Sequence, residues 1–142
     1  MTKDSTMSDH FRLTIAQLNP TVGDIAGNAA LARDAWEQGK SAGADMVALP
    51  EMFITGYSTQ DLVNKPAFHL AAMAAVEALA TECADGPTLA IGGPYAKDGR
   101  LYNGYHICRG GKVVSRQFKH FLPNYNVFDE VRQFNRGDIQ GP

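Results

Sequence analysis

Apolar residues recur along this chain at two periods, and the switches between them predict the order of its elements. Phe11, Leu13 and Ile15 alternate with Arg12 and Thr14, which predicts a first strand over 11–18, ended by Asn19-Pro20. Leu31, Ala32, Ala35, Trp36 and Gly39 then fall at helical spacing, behind Asp24 or Asn28 as N-cap and before Gly43 as end cap. Met46-Val47-Ala48-Leu49 is a short apolar run without polar alternation, as in a strand buried on both faces, and Pro50 stops it because proline cannot donate to a ladder. Strand, helix and strand in that order predict a parallel, right-handed β-α-β unit. Asn64 and Pro66 open a second helix, whose stripe runs Phe68, Ala72, Val76, Leu79, Cys83. Beyond it the period returns to two. Leu89-Ala90-Ile91 reads as a short strand before Gly92-Gly93-Pro94. Asp98-Gly99 and Gly110-Gly111 then bracket a strand over 101–108 and its antiparallel partner over 112–118.

Composition narrows the function classes. With 142 residues and 44% hydrophobic content the chain can build one domain with a core. Its net charge of −2 and scattered basic residues give no footprint for nucleic acid. No apolar run approaches the roughly 18 residues a membrane helix needs, and neither a signal peptide nor a membrane partner is expected. Residues 1–10 are polar and unpatterned and are expected to be a disordered extension. Cys83 and Cys108 form neither a disulfide framework nor a metal-ligand pattern, which fits a reducing cytoplasm. Cys83 lies on the helical stripe and so reads as a packed core thiol. Cys108 shares a strand face with His106, but without a third orienting group the pair reads as packing. Gly39-Lys40-Ser41 imitates the end of a phosphate-binding loop, yet Asp34 stands where the first glycine belongs and the tripeptide closes a helix rather than opening one. Arg109, Lys112 and Arg116 read as a solvated sheet face.

Two charged residues follow strands directly. Glu51 comes just past the Met46–Leu49 run, where open α/β sheets place their ligand crevices. Lys119 ends the last strand and is trailed by His120-Phe121-Leu122-Pro123-Asn124-Tyr125-Asn126-Val127-Phe128-Asp129-Glu130. A lysine ammonium held opposite a carboxylate can stabilise a developing oxyanion.

Leu49-Pro50-Glu51-Met52-Phe53 with Thr55-Gly56-Tyr57 resembles the glutamate motif of the nitrilase (carbon-nitrogen hydrolase) superfamily. Lys119 to Tyr125 with Phe128-Asp129-Glu130 resembles its lysine motif. Within the superfamily, Tyr57 to Leu62 and the Leu-Pro-Asn-Tyr…Val-Phe-Asp-Glu wording are similar to the glutaminase domain of glutamine-dependent NAD+ synthetases. The resemblance covers residues 11–142. It implies an α/β fold, a four-layer α-β-β-α sandwich of which this chain supplies an incomplete half. It implies a Glu-Lys-Cys triad in which Glu51 is the general base and Lys119 stabilises the oxyanion. Glu130 matches the further family glutamate that positions lysine or substrate, and Tyr57 and Tyr125 are candidates to line a glutamine pocket. The family's cysteine motif follows its lysine motif, and neither Cys83 nor Cys108 does so, so no nucleophile is expected within these residues. The synthetase domain that would bind ATP, Mg and deamido-NAD+ is likewise expected outside them, so no cofactor or metal is expected here. A cytoplasmic homo-oligomer is implied by the same resemblance. The alternatives are another amidase of the superfamily, of ω-amidase or carbamoylase type, or a catalytically dead packing or regulatory module. Two geometric expectations follow. Glu51 and Lys119 should converge, and Glu130 rather than Asp129 should face Lys119, because neighbours in an extended segment point opposite ways.

Overall fold

The computed structural model describes residues 9–125 and 128–138. Its framework is a five-stranded sheet in the order β1 (Leu13–Ile15), β2 (Met46–Ala48), β3 (Thr88–Lys97), β4 (Arg100–Arg109) and β5 (Lys112–Phe118). The first three strands are parallel and the last two pair antiparallel. Helices α1 (Ile25–Ser41) and α2 (Pro66–Glu82) make the parallel crossovers, and α3 (Glu130–Gln133) is a single turn. A 3-10 turn, Gln60–Asn64, precedes α2.

Local chemistry accounts for most boundaries. Asp24 caps α1 by accepting from Gly27 N at 2.9 Å, while Asn28, the other candidate, is buried and ties Thr21 to Ile54 instead. Pro66 takes the first position of α2, where a missing N–H costs nothing. Asp98 and Gly99, at φ 51° and 74°, form the left-handed pair that a two-residue hairpin requires. One core lies between the sheet and the two long helices. Trp36, Ala32, Val76 and Leu79 pack on Val47, Leu89, Ile91 and Cys108, and Trp36 Nε1 donates to Pro87 O at 2.8 Å.

The structure departs from the sequence pattern at several places. Only Leu13–Ile15 of the predicted strand 11–18 pairs, and its apolar residues face away from the helices, leaving Ile15 69% exposed. Leu31 is exposed because the helix seam runs through Ala32, Ala35 and Trp36. The strand predicted for 89–91 runs on to Lys97 through Gly92-Gly93-Pro94. Proline is tolerated there because its cross-strand partner Asn103 turns its backbone carbonyl to Lys119 N, away from β3. Arg116 lies on the helix side of β5, not on a solvated face, paired with Glu77 and stacked on Tyr95. Residues 1–8 of the expected extension lie outside the described residues.

The fold is thus the expected α/β kind, with a helix layer on one sheet face. The opposite face carries Ile15, Ala48, Ala90 and Ile107 in register across four strands. Among the described residues no helix is long and apolar enough to cross a membrane.

His106 sits on the helix side of β4, buried, its Nε2 donating to Gly93 O at 3.1 Å. Burial and then the neighbouring Arg116 pull its pKa down, against the Gly93 bond and Glu77. The unfolded histidine takes up a proton as pH falls through about 6.5, whereas folded His106 does so only at lower pH. Its contribution to stability is therefore complete above that value and lost on further acidification. Urea midpoints taken at about pH 7.5 and about pH 5.5 are expected to differ less in His106→Gln than in the parent chain. An equal difference would contradict a neutral buried histidine.

Candidate active site

Glu51 is presented by a turn rather than by β2 itself. The segment after Leu49 flanks β3, with Gly92 N donating to Pro50 O at 3.2 Å and Ile54 N donating to Gly92 O at 3.1 Å. Residues 51–53 bulge between these bonds, and Met52 takes φ 51°. A Cβ on Gly92 would come within 2.2 Å of Met52 N, so only glycine lets the turn lie this close. Lys119 continues β5, its N–H donating to Asn103 O at 2.9 Å and its carbonyl accepting from Gly137 N at 3.0 Å. Because β2 and β5 run in the same direction, both charges emerge past strand carboxyl ends.

The two side chains meet. Lys119 Nζ is 2.7 Å from Glu51 Oε1 and 3.1 Å from Glu130 Oε1. Glu130 opens α3 and is 2% exposed, while Asp129, its N-cap, turns outward to Arg132 at 3.7 Å. Arg132 also reaches Asp61 in the 3-10 turn, which fastens α3 beside α2's approach. Burial alone would lower the Lys119 pKa, but the hydrogen bonds it donates to Glu51 and Glu130 outweigh it, and the net shift is upward. The ammonium therefore stays charged throughout the neutral range.

Tyr57 and Tyr125 take different places. The Tyr57 hydroxyl donates to Glu130 Oε1 at 2.7 Å, and its ring stacks on Phe128. Burial and then that bond raise its pKa, so it remains a donor. Tyr57 thus braces Glu130. Tyr125 is exposed and lines an opening of about 430 Å³ together with Phe121, Leu122 and Lys119. A second opening, about 330 Å³, is lined by Glu51, Asn103, Tyr105 and Lys119. Asn126 and Val127 of the lysine motif lie outside the described residues.

One residue escaped sequence reasoning. Asn103, 4% exposed, donates from Nδ2 to Glu51 Oε1 at 2.6 Å. Asparagine is depleted in strands, so its presence inside the 101–108 run was the available signal.

The two thiols are elsewhere. Cys83 and Cys108 are buried in the helix-side core, and burial pushes them up to about 11 and about 12 respectively. Neither is a thiolate at neutral pH, and the sheet separates Cys108 from Glu51.

Residues 12–140 match the sequence model of the family Carbon-nitrogen hydrolase. The chain belongs to that family. Its match to the glutamine-dependent NAD(+) synthetase of Rhodobacter capsulatus is 56% identical over 136 residues, covering 96% of this chain and 25% of that protein. The synthetase of the same name from Thermotoga maritima is 33% identical over 127 residues, with 89% of this chain and 22% of that protein covered. Among solved structures, the Cytophaga hutchinsonii glutamine-dependent NAD(+) synthetase superposes with a TM-score of 0.84 at 32% identity, covering 89% of this chain and 22% of that one. An amidase from Nesterenkonia sp. shares the fold, with a TM-score of 0.74 at 20% identity over 94% of this chain and 50% of its own. The chain spans about a quarter of the length of the curated relatives it matches. In this member of the family Glu51 and Lys119, the two residues that the motif resemblance nominated, are in contact at 2.7 Å.

Proposed function

We propose that this chain supplies the base, the cation and the bracing glutamate of a site that hydrolyses the side-chain amide of glutamine. The ammonia released serves the ATP-dependent amidation of deamido-NAD+ to NAD+ in a longer protein. The observation that carries this reading is the Glu51–Lys119–Glu130 cluster, two bonds from one ammonium at 2.7 and 3.1 Å. The relatives named for glutamine-dependent NAD(+) synthesis support the choice of amide and of acceptor.

The chemistry follows from the charges. A cysteine thiol from outside these 142 residues gives its proton to Glu51 and attacks the amide carbon. The carbonyl oxygen becomes an oxyanion beside Lys119, whose third N–H is free of Glu51 and Glu130. Glu51 returns the proton to the departing nitrogen, and ammonia leaves a thioester. Water then adds with Glu51 again as base, releasing glutamate and the thiol. Glu130 and Tyr57 keep the ammonium in place through this cycle.

The 142-residue chain alone is therefore expected to release no ammonia from glutamine, since both of its thiols are protonated core residues. Loss of a covalent nucleophile costs roughly a millionfold in subtilisin. The measurement is ammonia release by the purified chain beside a longer protein carrying a cysteine after the lysine motif. Activity in the short chain that disappears in Cys108→Ala would move the nucleophile into it. Inactivity of both would remove the amidase reading.

A further inference from the structure

Two strands separate the turn that carries Glu51 from the strand that carries Lys119, and one residue bonds to both. Asn103 lies on β4, on the sheet face opposite the helices, where its side chain meets the Glu51 turn. Its carboxamide Nδ2 donates to Glu51 Oε1 at 2.6 Å, and its backbone carbonyl accepts the Lys119 N–H at 2.9 Å. Oε1 of Glu51 thereby receives two donors, Asn103 Nδ2 and Lys119 Nζ. The other oxygen, Oε2, accepts no hydrogen bond from the described residues. A carboxylate held by one oxygen keeps its rotamer and presents the second as the proton acceptor.

We propose that Asn103 is a positioning residue for the amide-hydrolysing reaction: it locks the Glu51 carboxylate through Oε1, leaves Oε2 as the working base, and sets the spacing between base and cation by holding Lys119 through its own backbone.

The side-chain type fits this role. A neutral amide donates to the carboxylate without adding a cation, so it orients Glu51 without competing with Lys119 for it. An aspartate of the same shape would bring only acceptors against Glu51 at neutral pH. A lysine or arginine would add a second charge and more freedom. Lys119 alone leaves Glu51 free to pivot, because an ammonium on a flexible stem bonds from many directions. The register adds a second reason for the site. Asn103 and Pro94 form a non-hydrogen-bonded pair of the β3–β4 ladder, so the Asn103 backbone carbonyl points to β5 and to Lys119.

The proposal rests on the function read above, and its test separates the two. Ammonia release is measured in the longer protein for the wild type, Asn103→Asp and Asn103→Leu, with thermal melting of each and crystal structures of both variants. Misplacing a catalytic group by about 1 Å can cost roughly a hundredfold. Both variants are therefore expected to lose ten- to a hundredfold in kcat, with KM changed less than about threefold and melting still cooperative. Their structures are expected to show Glu51 turned away from its Lys119 contact. An unchanged kcat in either folded variant overturns the positioning role. A lost kcat with Glu51 unmoved also overturns it, because the effect would then not pass through Glu51. A wild type that releases no ammonia sinks the functional reading. In that event the Glu51 position in the two variant structures still decides whether Asn103 holds it. Should Asn103→Leu fail to fold, the isosteric Asn103→Asp carries the same decision.

Discussion

Lys119→Met is expected to abolish most of the ammonia release of the longer protein, by at least about a hundred- to a thousandfold in kcat. That is the scale on which removing one oxyanion donor acts elsewhere. Methionine keeps the length of the stem and loses the ammonium, so the change removes charge with little change of volume. Two carboxyl groups lose their cation at once, Glu51 at 2.7 Å and Glu130 at 3.1 Å, and keep only the neutral donors Asn103 and Tyr57. Glu130 suffers more, because it is 2% exposed and its Oε2 already has no hydrogen-bond partner among the described residues. Breaking a fully buried pair costs about 3–5 kcal/mol. The Lys119 side chain is 29% exposed, so water screens part of that and the loss of stability should be smaller. Catalysis is thus expected to fall much further than stability, as kinetics and urea unfolding on the same variant would show. A kcat within fivefold of wild type would take Lys119 out of the chemistry.

The second large effect comes from a residue with no functional group. Gly92→Ala is expected to destabilise the fold by more than the about 1–3 kcal/mol typical of overpacking. The new methyl would meet Met52 N at 2.2 Å, Pro50 O at 2.6 Å and Glu51 C at 2.7 Å. All three are backbone atoms, so no rotamer change relieves the contact. The turn must lift from β3, breaking the Pro50 and Ile54 bonds to Gly92 and carrying Glu51 away from Lys119. Activity in the longer protein is expected to fall about a hundredfold, the cost of a misplaced base. Urea unfolding of Gly92→Ala within about 1 kcal/mol of the parent would show that the turn can move freely, and would contradict this account.

Much of the framework was legible because it is dictated locally. Asp98-Gly99 adopts two left-handed residues at almost no steric cost, so the hairpin could be placed from two letters. Pro66 at the start of α2 and the Ala72–Val76–Leu79–Cys83 stripe are decided within a few residues, and the cap of α1 was narrowed to Asp24 or Asn28 before the structure chose Asp24. The positions of Glu51 and Lys119 past strand ends were also local, since Pro50 ends one strand and Lys119 follows the other.

What the sequence by itself could not decide depends on contacts between distant segments. Leu31 matched helical spacing as well as Ala32 did, and only the seam against the sheet left it exposed. The Gly92-Gly93-Pro94 run looked like a break, because nothing local shows that β4 pairs along it or that the Glu51 turn needs a bare glycine there. Asn103 and Glu51 stand 52 residues apart, Lys119 and Glu51 68, and Tyr57 and Glu130 73. Motif resemblance nominated Glu51, Lys119 and Glu130, but it gave no way to see that Tyr57 bonds Glu130 or that Asn103 bonds Glu51. Periodicity reports which side of an element is apolar, and that is a property of neighbours in the chain. Which polar side chain completes a carboxylate's hydrogen bonds is settled only when the sheet brings separate strands into register.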